Sequence, residues 1–224
     1  MPFGDKRMKA YTTPQLDPPP AEPESPARDD FFYAQTLLPT THGPFDVRVY
    51  FDEGGREHLA ISVGNLRHAA ALPLRIHSEC LTSEVFGSLK CDCKQQLDMA
   101  LAYLQTAGRG LVLYLRQEGR GIGLGNKIRA YALQERGHDT VEANTLLGLP
   151  NDARTYEAAA MMLSELGVSS VQLMTNNPSK IEALERLGVS VVKRIPIIVA
   201  TGEHAASYLE TKRLRMGHLL DGEN

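Results

Sequence analysis

Three cysteines, Cys80, Cys91 and Cys93, are the only cysteines of the 224-residue chain, and they fall within one short polar segment, SECLTSEVFGSLKCDCKQQL. This clustering favours a metal site over three buried apolar cysteines, and their odd number argues against a disulfide framework. Zinc with three protein ligands keeps a fourth position open for water, as in catalytic sites, whereas a fourth ligand such as His77 would make the site structural. The spacing alone favours neither kind of zinc site over the other.

A glycine-rich loop, residues 118–127, follows the apolar run 111–115. The loop lacks the register of the dinucleotide fingerprint and the Gly-Lys-Ser/Thr ending of the phosphate loop. Alternate glycines still let the backbone approach a ligand closely, and Arg120 has the planar fork that binds a phosphate or a base edge. The loop therefore favours a ligand site, with a plain flexible turn as the alternative.

Two other segments carry weaker signals. Asn177 is a good helix cap, and the helix start with Lys180 could attract an anion, although capping alone is the commoner explanation. Asp152 and Arg154 lie in a predicted loop, where a surface ion pair is the default interpretation. Neither segment identifies a site by itself.

The charge distribution suggests a small anionic ligand. The net charge is −3, yet the segment from Arg75 to Arg129 holds eight Lys/Arg against five Asp/Glu. Such a local positive patch fits a nucleotide phosphate chain better than a nucleic-acid duplex, although a solvated charged face would look the same. No apolar run is long enough for a membrane helix, and no secretory signal is visible. We therefore expect a cytoplasmic protein that binds neither nucleic acid nor membrane.

The apolar periodicity predicts an α/β protein in which helices cover a mixed sheet. The expected strands are 45–51, 58–63, 72–76, 111–115, 171–174, 189–193 and 195–199, and the expected helices are 95–107, 127–136, 156–166, 179–187 and 204–219. Residues 1–30 hold seven of the thirteen prolines and are predicted to be a disordered tail. Residues 31–224 would then form a single domain.

Taken together, the motifs RIHSEC, CDC, RQEGRGIGL-NKIRAY, DTVEAN, DAR, LMTNNPSK and YLETK–MGHLL resemble GTP cyclohydrolase II, the first enzyme of riboflavin biosynthesis. The resemblance runs from about residue 41 to residue 220. It implies a three-layer α/β/α fold with a mixed central sheet, and a homodimer. The implied reaction converts GTP to 2,5-diamino-6-ribosylamino-4(3H)-pyrimidinone 5′-phosphate, formate and diphosphate, with one Zn²⁺ per chain and Mg²⁺ for the triphosphate.

The resemblance also implies roles for individual residues. The zinc ligands would be Cys80, Cys91 and Cys93. The catalytic residues would be Asp152 as proton acceptor, Arg154 at the α-phosphorus, and Tyr131 near the reacting ring. The GTP contacts would be Arg75, Ile76, His77, Ser78, Glu79, Gln96, Glu118, Gly119, Arg120, Thr140, Thr175 and Lys180.

Some points stay open at this stage. Lys94 stands where the family usually has glycine, and Gln95 occupies an apolar position, so the rim of the zinc site differs. Three thiolates would leave a zinc site negative, and Lys90 and Lys94 are the cations expected to offset it. Arginine is a poor nucleophile, so Arg154 could instead stabilise a transition state. The alternatives to the full reaction are release of a formylated pyrimidine, another purine nucleotide as substrate, or a non-catalytic structural-zinc module.

Overall fold

The structure is a computed structural model that describes residues 31–198. In this range the chain forms seven strands, six α-helices and one 3₁₀ turn. The strands are β1 (Phe32–Thr40), β2 (Gly43–Phe51), β3 (Glu57–Val63), β4 (Leu72–Ser78), β5 (Gly110–Leu115), β6 (Val171–Met174) and β7 (Val191–Ile195). The helices are α1 (Leu81–Glu84), α2 (Cys93–Ala107), α3 (Leu124–Gln134), α4 (Thr140–Leu146), α5 (Glu157–Glu165) and α6 (Pro178–Arg186), and the 3₁₀ turn is Glu118–Gly121.

All seven strands join one mixed sheet in the order β1-β2-β3-β5-β4-β6-β7. The pairs β1–β2, β2–β3 and β3–β5 are antiparallel, whereas β5–β4, β4–β6 and β6–β7 are parallel. Parallel neighbours need crossover connections, and helices supply them here. The carboxyl ends of β4, β5 and β6 therefore meet at one edge of the sheet, where ligand sites of open α/β sheets usually lie.

Helices cover both faces of the sheet. On one face, Leu74 and Leu113 pack in a cluster with Met162 of α5 and Leu184 of α6. On the other face, a second cluster joins Val112 and Met174 to Ala100 and Leu104 of α2. Alternate side chains of the strands supply the two clusters, so the predicted three-layer α/β/α arrangement is confirmed.

The strands predicted at 45–51, 58–63, 72–76, 111–115 and 171–174 are present, and so are the four helices predicted before residue 188, with ends shifted by at most three residues. Strand β1 and helices α1 and α4 were not predicted. The prediction of a strand at 195–199 is wrong for residues 196–198. Both backbone groups of Ile197 form hydrogen bonds with the side chain of Asn176 instead of with a neighbouring strand. Oδ1 of Asn176 accepts the N–H of Ile197 at 3.1 Å, and Nδ2 donates to its carbonyl at 2.7 Å. β7 begins at Val191, two residues after the predicted start of the strand 189–193.

The predicted tail at 1–30 and the helix at 204–219 lie outside the described residues. Among residues 31–198, no helix combines the length and the apolar character that a membrane crossing requires.

Candidate active site

The three cysteines come together beyond the end of β4. Cys80 follows the strand by two residues and precedes α1, while Cys93 is the first residue of α2. The Sγ atoms of Cys80 and Cys91 are 3.6 Å apart, and all three sulfurs lie within 4.8 Å of one another. Two sulfurs of a tetrahedral zinc with Zn–S bonds of about 2.3 Å lie about 3.8 Å apart, so the cluster fits a metal ion. Among the described residues, no His, Asp or Glu completes the group.

The three thiols share their protons unequally. Hydrogen bonds from Cys91 and Cys93, and then from Lys127, lower the pKa of the Cys80 thiol well below its usual range. The same contacts raise the pKa values of the Cys91 and Cys93 thiols, because a Cys80 thiolate stands beside them. The ammonium group of Lys127, 3.1 Å from Sγ of Cys80, favours a thiolate at Cys80, and a thiolate is the form that binds metal.

A cavity adjoins the sulfurs at the carboxyl edge of the sheet, and all the predicted site residues except Ile76 and Asp152 line it. The side chain of Ile76 belongs to the apolar core, and only its carbonyl faces the site, where it accepts a hydrogen bond from Nζ of Lys180 at 3.1 Å. Asp152 lies behind Arg154 in the neighbouring cavity. One cavity thus brings together residues that are spread over a hundred positions of the chain.

Arg75 of β4 is buried below this cavity. Its Nη1 donates to the carbonyl of Met174 at 3.0 Å, and its Nη2 donates to Oε1 of Gln96 at 2.6 Å. Gln96 in turn donates to Asp92 at 2.6 Å, which fixes the start of α2. Burial lowers the pKa of Arg75 to about 10, so the group remains a cation at neutral pH. Within residues 31–198, its Nε is buried without a hydrogen-bond partner, which leaves one donor for a ligand.

His77 belongs to a second buried network, which the sequence did not reveal. Its Nε2 lies 2.7 Å from Oε1 of Glu84, and the same oxygen accepts the backbone N–H of Cys80 at 3.0 Å. The hydroxyl of Tyr114 donates to the other oxygen of Glu84 at 2.6 Å. Burial lowers the pKa of His77 despite the carboxylate, so the ring is neutral at neutral pH. Because Nε2 donates to Glu84, Nδ1 is an acceptor, and no residue in the described part of the chain donates to it.

The glycine-rich loop packs closely against the loop that carries Arg154. Gly119 and Arg120 have left-handed backbone angles, with φ of 62° and 60°. Gly121, at φ 86°, comes so close to the chain that an added Cβ would lie 2.7 Å from the carbonyl oxygen of Ala153. The backbone N–H of Ala153 also donates to the carbonyl of Arg120 at 2.9 Å. A non-glycine residue in the left-handed region is often part of a functional site.

Lys127 of α3 is the cation beside the sulfurs. Its Nζ lies 3.1 Å from Sγ of Cys80 and 2.8 Å from Oε1 of Glu118. Lys90 and Lys94, which were predicted to offset the charge of the thiolates, contact other groups. Lys94 donates to Asp98 at 2.9 Å, and Lys90 contacts Glu135 and the ring of Tyr131. The prediction is therefore corrected. Lys90 and Lys94 were predicted because they are close to the cysteines in the sequence. In the fold, α3 returns to the cysteine cluster and brings Lys127 to it.

The TNNPSK segment lies at the opposite side of the cavity. Asn177 caps α6, as predicted, by accepting the backbone N–H of Ser179 at 3.1 Å. The hydroxyl of Thr175 accepts the backbone N–H of Asn177 at 3.0 Å. Lys180 is only 5% exposed, and its ammonium group lies 5.8 Å from the centre of the Tyr156 ring. A buried lysine beside a helix start gives this end of the cavity a positive potential.

Helices α3 and α4 form the remaining wall, which includes Tyr131 and Thr140. Gln134 donates to the Thr140 hydroxyl at 3.4 Å and links the two helices. The prediction missed the lining residues Ile122, Lys127, Ala130, Gln134, Asn144 and Asn177. Gln134 and Asn144 lie on helices, and the helical spacing of the sequence does not indicate that their polar side chains face the cavity.

Comparison of the sequence with known proteins shows which family the chain resembles. The sequence model described as GTP cyclohydrolase II matches residues 32–196. A protein named GTP cyclohydrolase-2 from Acinetobacter baumannii (strain SDF) is 53% identical over 191 residues, which cover 84% of this chain and 95% of that protein. Proteins of the same name from Picrophilus torridus and Neisseria meningitidis serogroup C are 48% and 50% identical, and the alignments cover 84% of this chain and 98% and 95% of theirs.

Among the solved structures that align is a two-domain 3,4-dihydroxy-2-butanone 4-phosphate synthase from A. baumannii. The alignment covers 79% of this chain and 42% of the other, with 19% sequence identity and a TM-score of 0.42. A similarity this low supports no conclusion about this chain.

Proposed function

The chain belongs to the GTP cyclohydrolase II family, and from this membership we propose where and how it acts on GTP. It is a hydrolase of riboflavin biosynthesis that converts GTP to 2,5-diamino-6-ribosylamino-4(3H)-pyrimidinone 5′-phosphate, formate and diphosphate. The cavity beside Cys80, Cys91 and Cys93 is the proposed active site. The observation that carries this proposal is that three sulfurs, two buried cations and a strained glycine-rich loop line one cavity.

We assign one zinc ion per chain to the three cysteines. The sulfur separations fit a tetrahedral ion, and the described residues supply no fourth ligand, so one position would stay open. When bound, zinc would supply a Lewis acid that makes water nucleophilic at neutral pH, as attack on C8 of guanine requires. Mg²⁺ would accompany the triphosphate and neutralise part of its charge.

Groups around the sulfurs would hold and orient the guanine. Among the residues that the structure describes, none pairs with Nε of Arg75, a donor, or with Nδ1 of the neutral His77, an acceptor. Gln96 holds Arg75 in place, and Glu118 is fixed by the backbone N–H of Leu81 at 2.6 Å. The remaining proposed nucleotide contacts are Ser78, Glu79, Gly119, Arg120, Thr140, Thr175 and Lys180, with the carbonyl of Ile76 behind Lys180. Such preformed polar groups orient a ligand without reorganisation.

Tyr131 would act beside the reacting ring. It lies on the cavity wall formed by α3, and ammonium groups of Lys90 and Lys127 lie 4.8 Å and 5.8 Å from its ring centre. Its presence favours complete deformylation over release of the formylated pyrimidine.

Diphosphate release would take place around Arg154. The carboxylate of Asp152 holds this guanidinium group, and Arg120 shares the neighbouring cavity with both. An arginine is a permanent cation with a planar fork suited to phosphate oxygens. We propose that Arg154 stabilises the negative charge that builds up at the α-phosphorus.

A homodimer is the proposed assembly. Strand β1 forms one edge of the sheet, and its apolar side chains Leu37 and Leu38 are 67% and 47% exposed. Exposed apolar edge strands favour association, so a second subunit could cover this strand. Sedimentation of the full-length chain would test this. A cytoplasmic location stays a prediction.

The test of the function is incubation of the zinc-loaded, full-length protein with GTP and Mg²⁺, followed by ultraviolet spectroscopy and separate assays of formate and diphosphate. We expect a pyrimidine spectrum with formate and diphosphate in equal amounts. Formation of a pyrimidine without formate would indicate a formylated product. A folded, zinc-loaded protein that leaves GTP unchanged would contradict the proposal and favour a structural zinc module.

A further inference from the structure

Lys127 makes three hydrogen bonds with one ammonium group. The acceptors are Sγ of Cys80 at 3.1 Å, Oγ1 of Thr82 at 2.9 Å and Oε1 of Glu118 at 2.8 Å. An ammonium group has three N–H donors, so each donor has an acceptor. The side chains of Lys127 and Glu118 are only 11% and 9% exposed, which strengthens the charge–charge contact.

The acceptors belong to two separate parts of the site. Cys80 and Thr82 lie at the start of α1, next to the cysteine cluster, whereas Glu118 opens the 3₁₀ turn of the glycine-rich loop. Oε2 of Glu118 also accepts the backbone N–H of Leu81 at 2.6 Å. Lys127 and Glu118 together therefore connect the glycine-rich loop to the segment that carries Cys80.

The Lys127 ammonium group lies between two negative partners, 2.8 Å from the Glu118 carboxylate and 3.1 Å from the Cys80 sulfur. Without it, the Glu118 carboxylate and the cysteine sulfurs would be left as neighbouring buried negative groups, which is strongly unfavourable.

We propose that Lys127 is a positioning residue that couples the metal centre to the nucleotide site, by fixing Cys80 and Glu118 with the same ammonium group. This inference rests on the proposed metal site. It goes beyond the assigned ligands because the lysine reaches no metal itself and acts through a sulfur. Loss of Lys127 should therefore weaken metal binding and nucleotide binding together.

Three variants separate charge from geometry. K127M removes the charge and keeps a long apolar side chain, whereas K127R keeps the charge but cannot place three donors in the same directions. K193M is the matched control, because Lys193 is an exposed lysine of β7, remote in the chain from the cysteines and the glycine-rich loop.

Metal binding is measured with Zn²⁺ against a chromogenic chelator, and with Co²⁺ through the absorption bands of its thiolate bonds. Nucleotide binding is measured with GMP on the metal-free protein, in which no reaction occurs. We expect K127M to bind Zn²⁺ about 10- to 100-fold more weakly, the usual effect of removing a group that supports a ligand. Its Co²⁺ bands should shift and its GMP affinity should fall. K127R should lie between K127M and wild type, and K193M should match wild type.

A K127M protein with wild-type Zn²⁺ affinity and unchanged Co²⁺ bands would overturn the role of Lys127 alone. A wild-type protein that binds neither metal would overturn the metal site itself, and the coupling with it. If K127M does not fold, K127R and Thr82→Val carry the test, because both keep the charge. Wild-type metal affinity and spectra in both would overturn the inference.

Discussion

The guanidinium group of Arg154 lies against the carboxylate of Asp152, with Nε 2.9 Å from Oδ1 and 3.2 Å from Oδ2. The backbone N–H of Arg154 donates to Oδ1 as well, at 3.0 Å. Burial would raise the pKa of Asp152, but the hydrogen bonds and charge of Arg154 lower it, so both groups are ionised. A charged guanidinium group held in this way is poorly suited to attack and well suited to stabilise phosphate charge.

Arg154→Lys is the sharpest probe of this contact. The variant keeps the positive charge but loses the planar fork, so we expect diphosphate release to fall at least about 100-fold. Arg154→Ala should fall at least as far. Arg129→Lys, at an exposed position of α3, is the matched control and should behave as wild type. Near-normal diphosphate release in Arg154→Lys would show that only a positive charge is needed, and would exclude a guanidine nucleophile.

Replacing Cys80, Cys91 or Cys93 with serine should abolish formate release, because a hydroxyl is a much poorer zinc ligand than a thiolate. None of the three belongs to either hydrophobic cluster, so the free energy of unfolding should change by less than about 2 kcal/mol. Metal content, formate and denaturant unfolding are measured on the same preparations.

The cysteine variants also test whether the two chemistries are separate. Since Asp152 and Arg154 pair with each other in a loop separate from the segments that carry the cysteines, a cysteine variant should still release diphosphate from GTP. If all three serine variants unfold, the metal has a structural role and the assignment of a catalytic ion fails.

The stability of the protein should fall in mild acid because of buried neutral histidines. His58 is 2% exposed, its Nδ1 accepts the backbone N–H of Arg116 at 3.1 Å, and its Nε2 faces Asp52 at 3.1 Å. Burial lowers the pKa of His58, as it does for His77. The unfolded chain therefore takes up protons below about pH 6.5 while the folded chain does not. The free energy of unfolding should decrease as the pH falls from about 7 toward 5.

His58→Gln removes one group that takes up a proton in the unfolded chain. The free energy of unfolding of this variant should therefore depend less on pH than that of wild type over the same range. Urea unfolding of both proteins at several pH values provides the measurement. His138→Gln is the control, since the His138 side chain is 41% exposed. Equal pH dependence in wild type and His58→Gln would contradict the role given to His58.

Much of the fold could be read from the sequence because burial leaves a periodic signal. The run 111–115 is apolar throughout and forms a strand covered on both faces, and the helical spacing of Leu97 and Leu104 predicted α2. Strand β1 gave no such signal, because every one of its residues is exposed. The hydrogen bonds between the Asn176 side chain and Ile197, which take the place of strand pairing there, join residues far apart in the chain. A local sequence pattern does not contain such contacts.

In the candidate site, too, local sequence patterns revealed some residues, whereas others depend on contacts that only the fold creates. The cysteine cluster was evident from spacing, and most nucleotide residues came from the motifs of the family. Lys127 and Glu84 were missed, because their roles depend on which sulfur, ring or backbone group the fold brings to them. Distance along the chain also misassigned the positive charge to Lys90 and Lys94, although α3 returns to the cluster from 47 residues beyond Cys80.

Two glycines of the same loop offer a last test of how that loop is held. In Gly121→Ala, the new Cβ would lie 2.7 Å from the carbonyl oxygen of Ala153 at a φ of 86°, so the loop carrying Arg154 must move. We expect a loss of about 1–3 kcal/mol in stability and a larger relative loss of diphosphate release than of metal binding. Gly125→Ala lies in α3 with open space around it and should be neutral or up to about 1 kcal/mol more stable. Denaturant unfolding, metal titration and diphosphate assays are compared for the two variants. If Gly121→Ala released diphosphate as fast as Gly125→Ala, close packing of the two loops would not be what positions Arg154.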